Sequence, residues 1–191
     1  MTKNNKNNNH SLHNLIGDCV EKCIKKINKE KNVKFIAIKD PAVGTNDGKK
    51  QYIPLFSESE RSNAAKYCNV DLIIIKDDKI FVIIEIEESD VKPTQICGKF
   101  LASALSNFYI HDTEEKPVKK NENVLFIQIL DSAKITINGS KEEQGKNLEN
   151  SIRSILPIGN ITNYNLFYCS KENFECKKII KEIKNFIEQQ K

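Results

Sequence analysis

The sequence predicts an α/β fold in which a mixed central β-sheet is covered by helices on both faces. The 191 residues, 39% of them hydrophobic and 29% charged, suit a single globular domain with one sizeable core. Strand-like apolar segments alternate with helix-like segments in the second half of the chain. One predicted strand, residues 80–87, is apolar on both faces over most of its length, which is typical of a buried central strand.

The individual elements follow from the spacing of apolar residues. A polar, low-complexity tail over residues 1–10 is predicted to be disordered, so one domain is expected over residues 11–191. Apolar residues at helical spacing predict a first helix from Ser11 to about Lys29. The next elements are predicted as a strand at about residues 33–38, a helix at 57–68, two hairpin strands at 70–75 and 80–87, and a helix at 93–108. They are followed by a strand at about residues 124–130, a short strand at 135–137, a short helix at 148–155, a strand at 164–169 and a final helix up to 189.

Charge and cysteine content narrow the classes of function. The net charge of +4, from 30 basic and 26 acidic residues, is compatible with binding nucleic acid but is far below that of a histone-like protein. The N-terminus is polar and the apolar runs are short, so a cytoplasmic protein with no membrane partner is expected. The six cysteines lack CxxC spacing, which favours buried apolar residues over a zinc or disulfide framework.

Two acidic residues end the central strand. Glu85 and Glu87 are one pleat apart, and strict alternation places them on the face shared by Phe81 and Ile83. The preceding strand of the hairpin opens with a third acid, Asp71. The hairpin therefore brings carboxylates from two strands towards one end of the sheet.

The register of the hairpin decides whether these carboxylates meet. If the loop has three residues, 77–79, Asp71 lies opposite Glu85 on the same face, with Cβ atoms about 5 Å apart. A two-residue loop would instead place the two acids on opposite faces. We expect the three-residue loop.

Carboxylates opposed at this distance on a buried strand cannot both remain ionised without compensation. A shared proton, a basic partner or a bound cation would each provide it. A hard dication, Mg²⁺ or Mn²⁺, suits an oxygen-only cluster with no His or Cys next to it in sequence. The alternative is that the three acids lie at a solvated strand end and bind nothing.

The segment Asn69-Val70-Asp71, the apolar hairpin, Ile84-Glu85-Ile86-Glu87 and the helix that follows resemble the PD-(D/E)XK nuclease superfamily. The resemblance covers about residues 57–108 and implies a restriction-endonuclease-like core. Val70 stands where the family pattern has Pro, and Glu87 stands where it has Lys. The Glu-x-Glu ending is similar to the BamHI-like branch of type II restriction endonucleases.

The resemblance implies a role for each acid. Asp71 and Glu85 would hold Mg²⁺, for which Mn²⁺ can substitute, and Glu87 would orient or deprotonate the attacking water. Alternatively, the missing lysine has moved to the following helix, where Lys99 is the candidate. Glu58, on the helix predicted before the hairpin, is a further candidate metal ligand.

The function implied by the resemblance is Mg²⁺-dependent hydrolysis of phosphodiester bonds in double-stranded DNA. A type II restriction endonuclease acting as a homodimer is expected, with a partner DNA methyltransferase in the same system. The alternatives are a repair or branched-DNA nuclease, a non-catalytic DNA-binding or interaction module on the same fold, and an unrelated α/β protein with surface acids. None of the three histidines has a partner at catalytic spacing, so no role is predicted for them.

Overall fold

A computed structural model describes residues 11–40, 52–88, 92–111, 116–134, 140–172 and 176–190. The predicted tail over residues 1–10 and the short strand predicted at 135–137 lie outside these ranges. The described residues form these helices and strands: α1 Ser11–Lys31, β1 Ile36–Lys39, β2 Pro54–Phe56, β3 Lys66–Asn69, β4 Leu72–Lys76, β5 Lys79–Glu87, α2 Pro93–Leu105, β6 Phe108–Ile110, β7 Pro117–Asp131, α3 Ser140–Ser154, β8 Ile161–Cys169 and α4 Cys176–Gln189.

The strands form one eight-stranded mixed sheet in the order β1-β4-β5-β7-β6-β2-β3, with β8 also paired to β7. Strands β5, β7 and β8 run parallel, and the other pairs are antiparallel. The middle of β5 and the second half of β7 are almost continuously buried, as expected for strands covered on both faces. The predicted α/β class with a mixed sheet is confirmed.

Two hydrophobic clusters separate the layers, one on each face of the sheet. On the first face, α1 and α4 pack through apolar side chains at helical spacing, Leu12, Ile16, Val20, Ile27, Ile179, Ile183 and Phe186. On the second face, α2 and α3 pack through Ile96, Phe100, Ala104 and Ile152. Each of the Leu, Ile, Val and Phe side chains among them contributes about 1.5–3 kcal/mol when fully buried. Helices on both faces of the sheet were predicted, and this prediction is confirmed. No helix among the described residues has the length and apolar character needed to cross a lipid bilayer.

The hairpin of β4 and β5 differs from its prediction in the loop. Asp77 and Asp78 both adopt positive φ, at 50° and 56°, which is typical of a two-residue type I′ turn. Lys76 therefore pairs with Lys79, and the predicted three-residue loop is wrong. A β-bulge follows, because Ile75 pairs with Ile80 while Ile74 pairs with Val82. The extra residue on β5 is Phe81.

The bulge corrects the register that the short turn would otherwise have produced. Beyond it, Leu72 pairs with Ile84, which is the register predicted for the far end of the hairpin. Phe81 packs on the α1 and α4 face and Ile80 on the other, the reverse of the predicted alternation for these two residues. Glu85 and Glu87 consequently lie on the α2 face, together with Ile83.

The helix predicted over residues 57–68 is absent, and this prediction is wrong. Residues 57–65 form a turn closed by the Ser57 amide, which donates to the Ala65 carbonyl at 2.8 Å, and residues 66–69 form β3. The segment has no apolar helical face to bury, so pairing of β3 with the short strand β2 determines its structure. Strands β2, β3 and β6 were not predicted, β7 begins earlier than expected at Pro117, and α3 begins earlier at Ser140.

Candidate functional site

The candidate site lies where the parallel strands β5, β7 and β8 end. Glu85 pairs with Gln128 and Glu87 with Leu130, so the carboxyl end of β5 is flanked directly by the carboxyl end of β7. Helix α2 begins a few residues after β5 and returns across this face. Crevices outside the carboxyl ends of strands are a recurrent position for ligands in open α/β sheets.

Asp71 directly precedes β4 and is fixed by the neighbouring strand. Its carboxylate oxygen Oδ2 accepts a hydrogen bond of 2.7 Å from the backbone amide of Ile86. Its backbone carbonyl accepts a second bond, of 2.8 Å, from the amide of Asp40. The Asp71 side chain is 18% exposed and is therefore accessible from solvent at this end of the hairpin.

Glu85 is buried and Lys99 lies against it. Only 2% of Glu85 is exposed, and its Oε2 accepts a hydrogen bond of 3.0 Å from Lys99 Nζ. The same ammonium lies 3.4 Å from Glu87 Oε2. The second oxygen of Glu85, Oε1, is buried without a hydrogen-bond partner. An ionised oxygen in this state is costly, which makes it the atom of the cluster with an unmet need for a proton or cation.

The charged groups of the cluster shift one another's pKa values. Burial and, next, the nearby Asp71 carboxylate raise the pKa of Glu85 to about 8, although Lys99 acts to lower it. Burial alone would lower the pKa of Lys99, but the attraction of the surrounding carboxylates outweighs it, and the pKa is raised above its ordinary value. Lys99 is therefore a fixed positive charge, and Glu85 takes up a proton close to neutral pH.

Gln128 supports the floor of the site from strand β7. It is buried, its Nε2 donates to the Ile96 carbonyl at 3.2 Å, and its Oε1 accepts from the Tyr164 hydroxyl at 2.7 Å. These bonds fix α2, the helix that carries Lys99, to the strand next to Glu85. Sequence reasoning missed Gln128, although one amide inside the apolar run of residues 124–130 was a usable signal.

His13 and Glu88 adjoin the site from the opposite face and were also missed. Glu88 directly follows β5, and its Oε1 accepts a hydrogen bond of 2.6 Å from the Leu12 amide at the start of α1. His13 is buried at 6% exposure, with Nδ1 3.2 Å from Glu88 Oε2 and Nε2 3.8 Å from Asp71 Oδ2. A histidine at a buried position of an amphipathic helix was the signal in the sequence.

The structure brings four of the predicted site residues together, namely Asp71, Glu85, Glu87 and Lys99. It does not do so for Glu58. This residue is exposed in the turn between β2 and β3, whereas Asp71 follows the other end of that hairpin, where Pro54 pairs with Asn69. The predicted helix that would have placed Glu58 near the acids is absent, so the structure gives no support to Glu58 as a metal ligand.

The chemical capacity of the cluster is that of a carboxylate pair beside a fixed cation. Across the described ranges, no group of three or more His, Cys, Asp and Glu side chains is arranged so that it could hold a metal ion. A complete cage is not required for Mg²⁺, which usually keeps several waters and binds through one or two carboxylates together with a substrate phosphate. Asp71 and the buried oxygen of Glu85 are suitable donors of this kind.

In comparisons with protein-family models, with curated proteins and with solved structures, no match to this chain was found.

Proposed function

We propose that this protein is a Mg²⁺-dependent endodeoxyribonuclease that hydrolyses phosphodiester bonds in double-stranded DNA. The observation that carries the proposal is the buried Glu85 carboxylate, which has one oxygen without a hydrogen-bond partner and a second acid, Asp71, beside it. A buried carboxylate with a raised pKa, at the carboxyl end of a central strand and beside a second acid, is more typical of a functional site than of a surface.

The donor set suits a hard dication. Asp71 and Glu85 offer only oxygen atoms, and Asp71 is held by the Ile86 amide so that little reorganisation is needed on binding. Mg²⁺, or Mn²⁺ in its place, would neutralise the repulsion between the two carboxylates and polarise the scissile phosphate. A dication bound at this site would therefore both provide a partner for the buried oxygen of Glu85 and polarise the phosphate for hydrolysis.

We assign to Lys99, on α2, the role that a lysine on the central strand usually plays in such nucleases. Its ammonium is 3.0 Å from Glu85 Oε2, and its raised pKa keeps it charged, so it would stabilise negative charge on the phosphate and not accept a proton. Glu87, 3.4 Å from the same ammonium, would orient Lys99. The alternative is that Glu87 orients or deprotonates the water, as in the Glu-x-Glu branch.

The wider role that we propose is that of a cytoplasmic type II restriction endonuclease. Such an enzyme acts as a homodimer, because two-fold symmetry matches two cuts to a palindromic site, and it operates beside a DNA methyltransferase. The mildly basic net charge of +4 agrees with a phosphate-binding surface. A repair or branched-DNA nuclease would use the same site on a different substrate.

One observation favours a second candidate, a non-catalytic DNA-binding or interaction module. Lys99 already forms ion pairs with Glu85 and Glu87, so these acids have a counterion even when no metal is bound. In such a module the cluster would serve the fold alone. The two candidates differ in whether a dication binds.

The test combines metal binding with DNA cleavage. Calorimetric titration with Mn²⁺ should show binding to the wild type that Asp71→Asn abolishes, and the same substitution should abolish cleavage of a plasmid. Asp78→Asn, in the turn at the other end of the hairpin, is the matched control and should change neither. Discrete bands would indicate restriction, and a smear or cutting of branched substrates alone would indicate repair. Absence of both Mn²⁺ binding and cleavage would leave the interaction module.

A further inference from the structure

His13 reaches the acid cluster from a different layer of the molecule than Lys99 does. Helix α1 packs on one face of the sheet and α2 on the other. Lys99, on α2, contacts Glu85 and Glu87, whereas His13, on the first turns of α1, lies near Asp71. The acid cluster is therefore approached from both faces, and Asp71 is the carboxylate that His13 approaches.

The contacts of His13 form a chain of carboxylate, imidazole and carboxylate held at ion-pair distances, with no hydrogen bond between His13 Nδ1 and Glu88 Oε2. Nδ1 lies 3.2 Å from Glu88 Oε2, and Nε2 lies 3.8 Å from Asp71 Oδ2. The Glu88 carboxylate is fixed in turn, because the Leu12 amide donates to its Oε1 at 2.6 Å. The side chains of His13, Asp71 and Glu88 are 8%, 18% and 14% exposed, so the chain is largely removed from bulk water.

The Asp71 carboxylate is contacted by the Ile86 amide, by His13 and by the Glu85 carboxyl. Oδ2 accepts from the Ile86 amide, and His13 Nε2 lies near this oxygen. Asp71 directly precedes β4, so its carboxylate depends on such contacts for its rotation. A ligand carboxylate that rotates freely must be ordered when the cation binds, and this ordering weakens binding.

We propose that His13, backed by Glu88, is a positioning residue that holds the Asp71 carboxylate ready for the dication. This role rests on the proposed metal-dependent function. It assigns to the N-terminal turn of α1 a part in the affinity of the site for metal, separate from its part in the core. Residues of this kind typically change metal affinity by about 10–100-fold.

The test measures Mn²⁺ affinity by calorimetry, with single-turnover cleavage kinetics as a second measurement. His13→Ala should weaken Mn²⁺ binding by about 10–100-fold and raise the Mn²⁺ concentration needed for half-maximal cleavage, with KM for DNA unchanged. His13→Gln, whose amide reaches the position of Nε2, should recover most of the affinity. Glu88→Gln should weaken binding less than His13→Ala does.

Ile16→Val is the matched control for a purely structural effect. Ile16 lies one turn further along α1, is 1% exposed and packs in the α1 and α4 cluster. The substitution should lower stability by about 1 kcal/mol without changing the affinity for Mn²⁺. Unchanged Mn²⁺ affinity in both His13 variants would overturn the positioning role alone, whereas absence of Mn²⁺ binding by the wild type would overturn the proposed function and this role with it.

Discussion

The backbone amide of Ile86 donates a hydrogen bond of 2.7 Å to the carboxylate of Asp71 and so holds an acid from one strand against the end of its neighbour. Ile86 lies between Glu85 and Glu87 on β5, and its own side chain faces α1. The bond therefore places Asp71 beside the acids on the α2 face. This placement underlies the first two predictions.

The stability of the metal-free protein is predicted to fall as the pH rises from about 5 to 8. Burial and Asp71 raise the pKa of Glu85 from 4.5 to about 8, so the folded state binds more protons than the unfolded state between these values. Stabilisation by this proton is complete below the unfolded pKa and is lost as the pH rises through the folded one. The free energy of unfolding should decrease by about 2–5 kcal/mol, measured by urea denaturation across this range.

Glu85→Gln is the control for this pH dependence and should make the profile nearly flat, because the amide does not titrate. Mn²⁺ should stabilise the wild type more at pH 8 than at pH 5, since protons and cations compete for the same carboxylates. Equal slopes in the wild type and the Gln variant would show that other groups cause the dependence.

Lys99→Ala is predicted to lower kcat for DNA cleavage by about 10²–10³-fold, because a fixed positive charge at the phosphate is lost. Mn²⁺ affinity should be retained, since the variant removes a charge that repels the cation. Glu87→Gln should cost less than about 10-fold, because Glu87 acts through Lys99. Single-turnover kinetics of both variants would show which substitution slows cleavage more. A larger loss in Glu87→Gln than in Lys99→Ala would support Glu87 as the residue that orients or deprotonates the water.

Lys120→Met is predicted to destabilise the fold by about 2–4 kcal/mol, measured by thermal or urea denaturation. Lys120 is buried, and its ammonium donates to the carbonyls of Ser103, Ala104 and Gly159 at 2.7, 2.9 and 2.9 Å. It therefore satisfies carbonyls at the end of α2, where a positive charge is favourable. Lys119→Met, at the neighbouring exposed position, should change stability by less than about 0.5 kcal/mol. Equal effects of the two substitutions would contradict this account.

Gly159→Ala is predicted to lower the free energy of unfolding by about 2–4 kcal/mol. Gly159 has a φ of 51°, and an added Cβ would lie 1.7 Å from the backbone carbonyl oxygen of Ala104. Gly98→Ala is the opposite case within α2, because an added Cβ there meets nothing within 4 Å. That substitution should stabilise the helix by about 0.5–1 kcal/mol. Denaturation of both variants under one condition would test the difference in sign.

The features that sequence reasoning predicted are those encoded by local periodicity. Helix α1 and strand β5 carry apolar residues at spacings that few other structures would satisfy, and both were placed within a few residues of their ends. Helices on both faces of the sheet followed from the alternation of strands and helices late in the chain and from the largely apolar character of β5. The position of Asp71 near Glu85 was predicted in the right register but for the wrong reason, since a two-residue turn and a bulge together replace the three-residue loop.

What could not be predicted depends on contacts distant in sequence. Strand β2 has three residues and exists because β3 and β6 pair with it. The first half of α3 shows no apolar periodicity, because Gly145 is its buried position there. His13 and Glu88 are 75 positions apart in the sequence, and only the packing of α1 on the sheet brings them together. No spacing rule connects such residues before the fold is known.

The bulge at Phe81 is the point at which the hairpin can lose a residue without moving the acids. Phe81 and Val82 both pack on the α1 and α4 face, so the bulge takes up one residue without reversing the faces of the residues that follow. Deletion of Phe81 should leave Ile75 opposite Ile80 and Ile74 opposite Val82 in a regular ladder, with Glu85 still beside Lys99. Deletion of Ile83, beyond the bulge, should instead turn Glu85 into the apolar layer under α1 and separate it from Lys99.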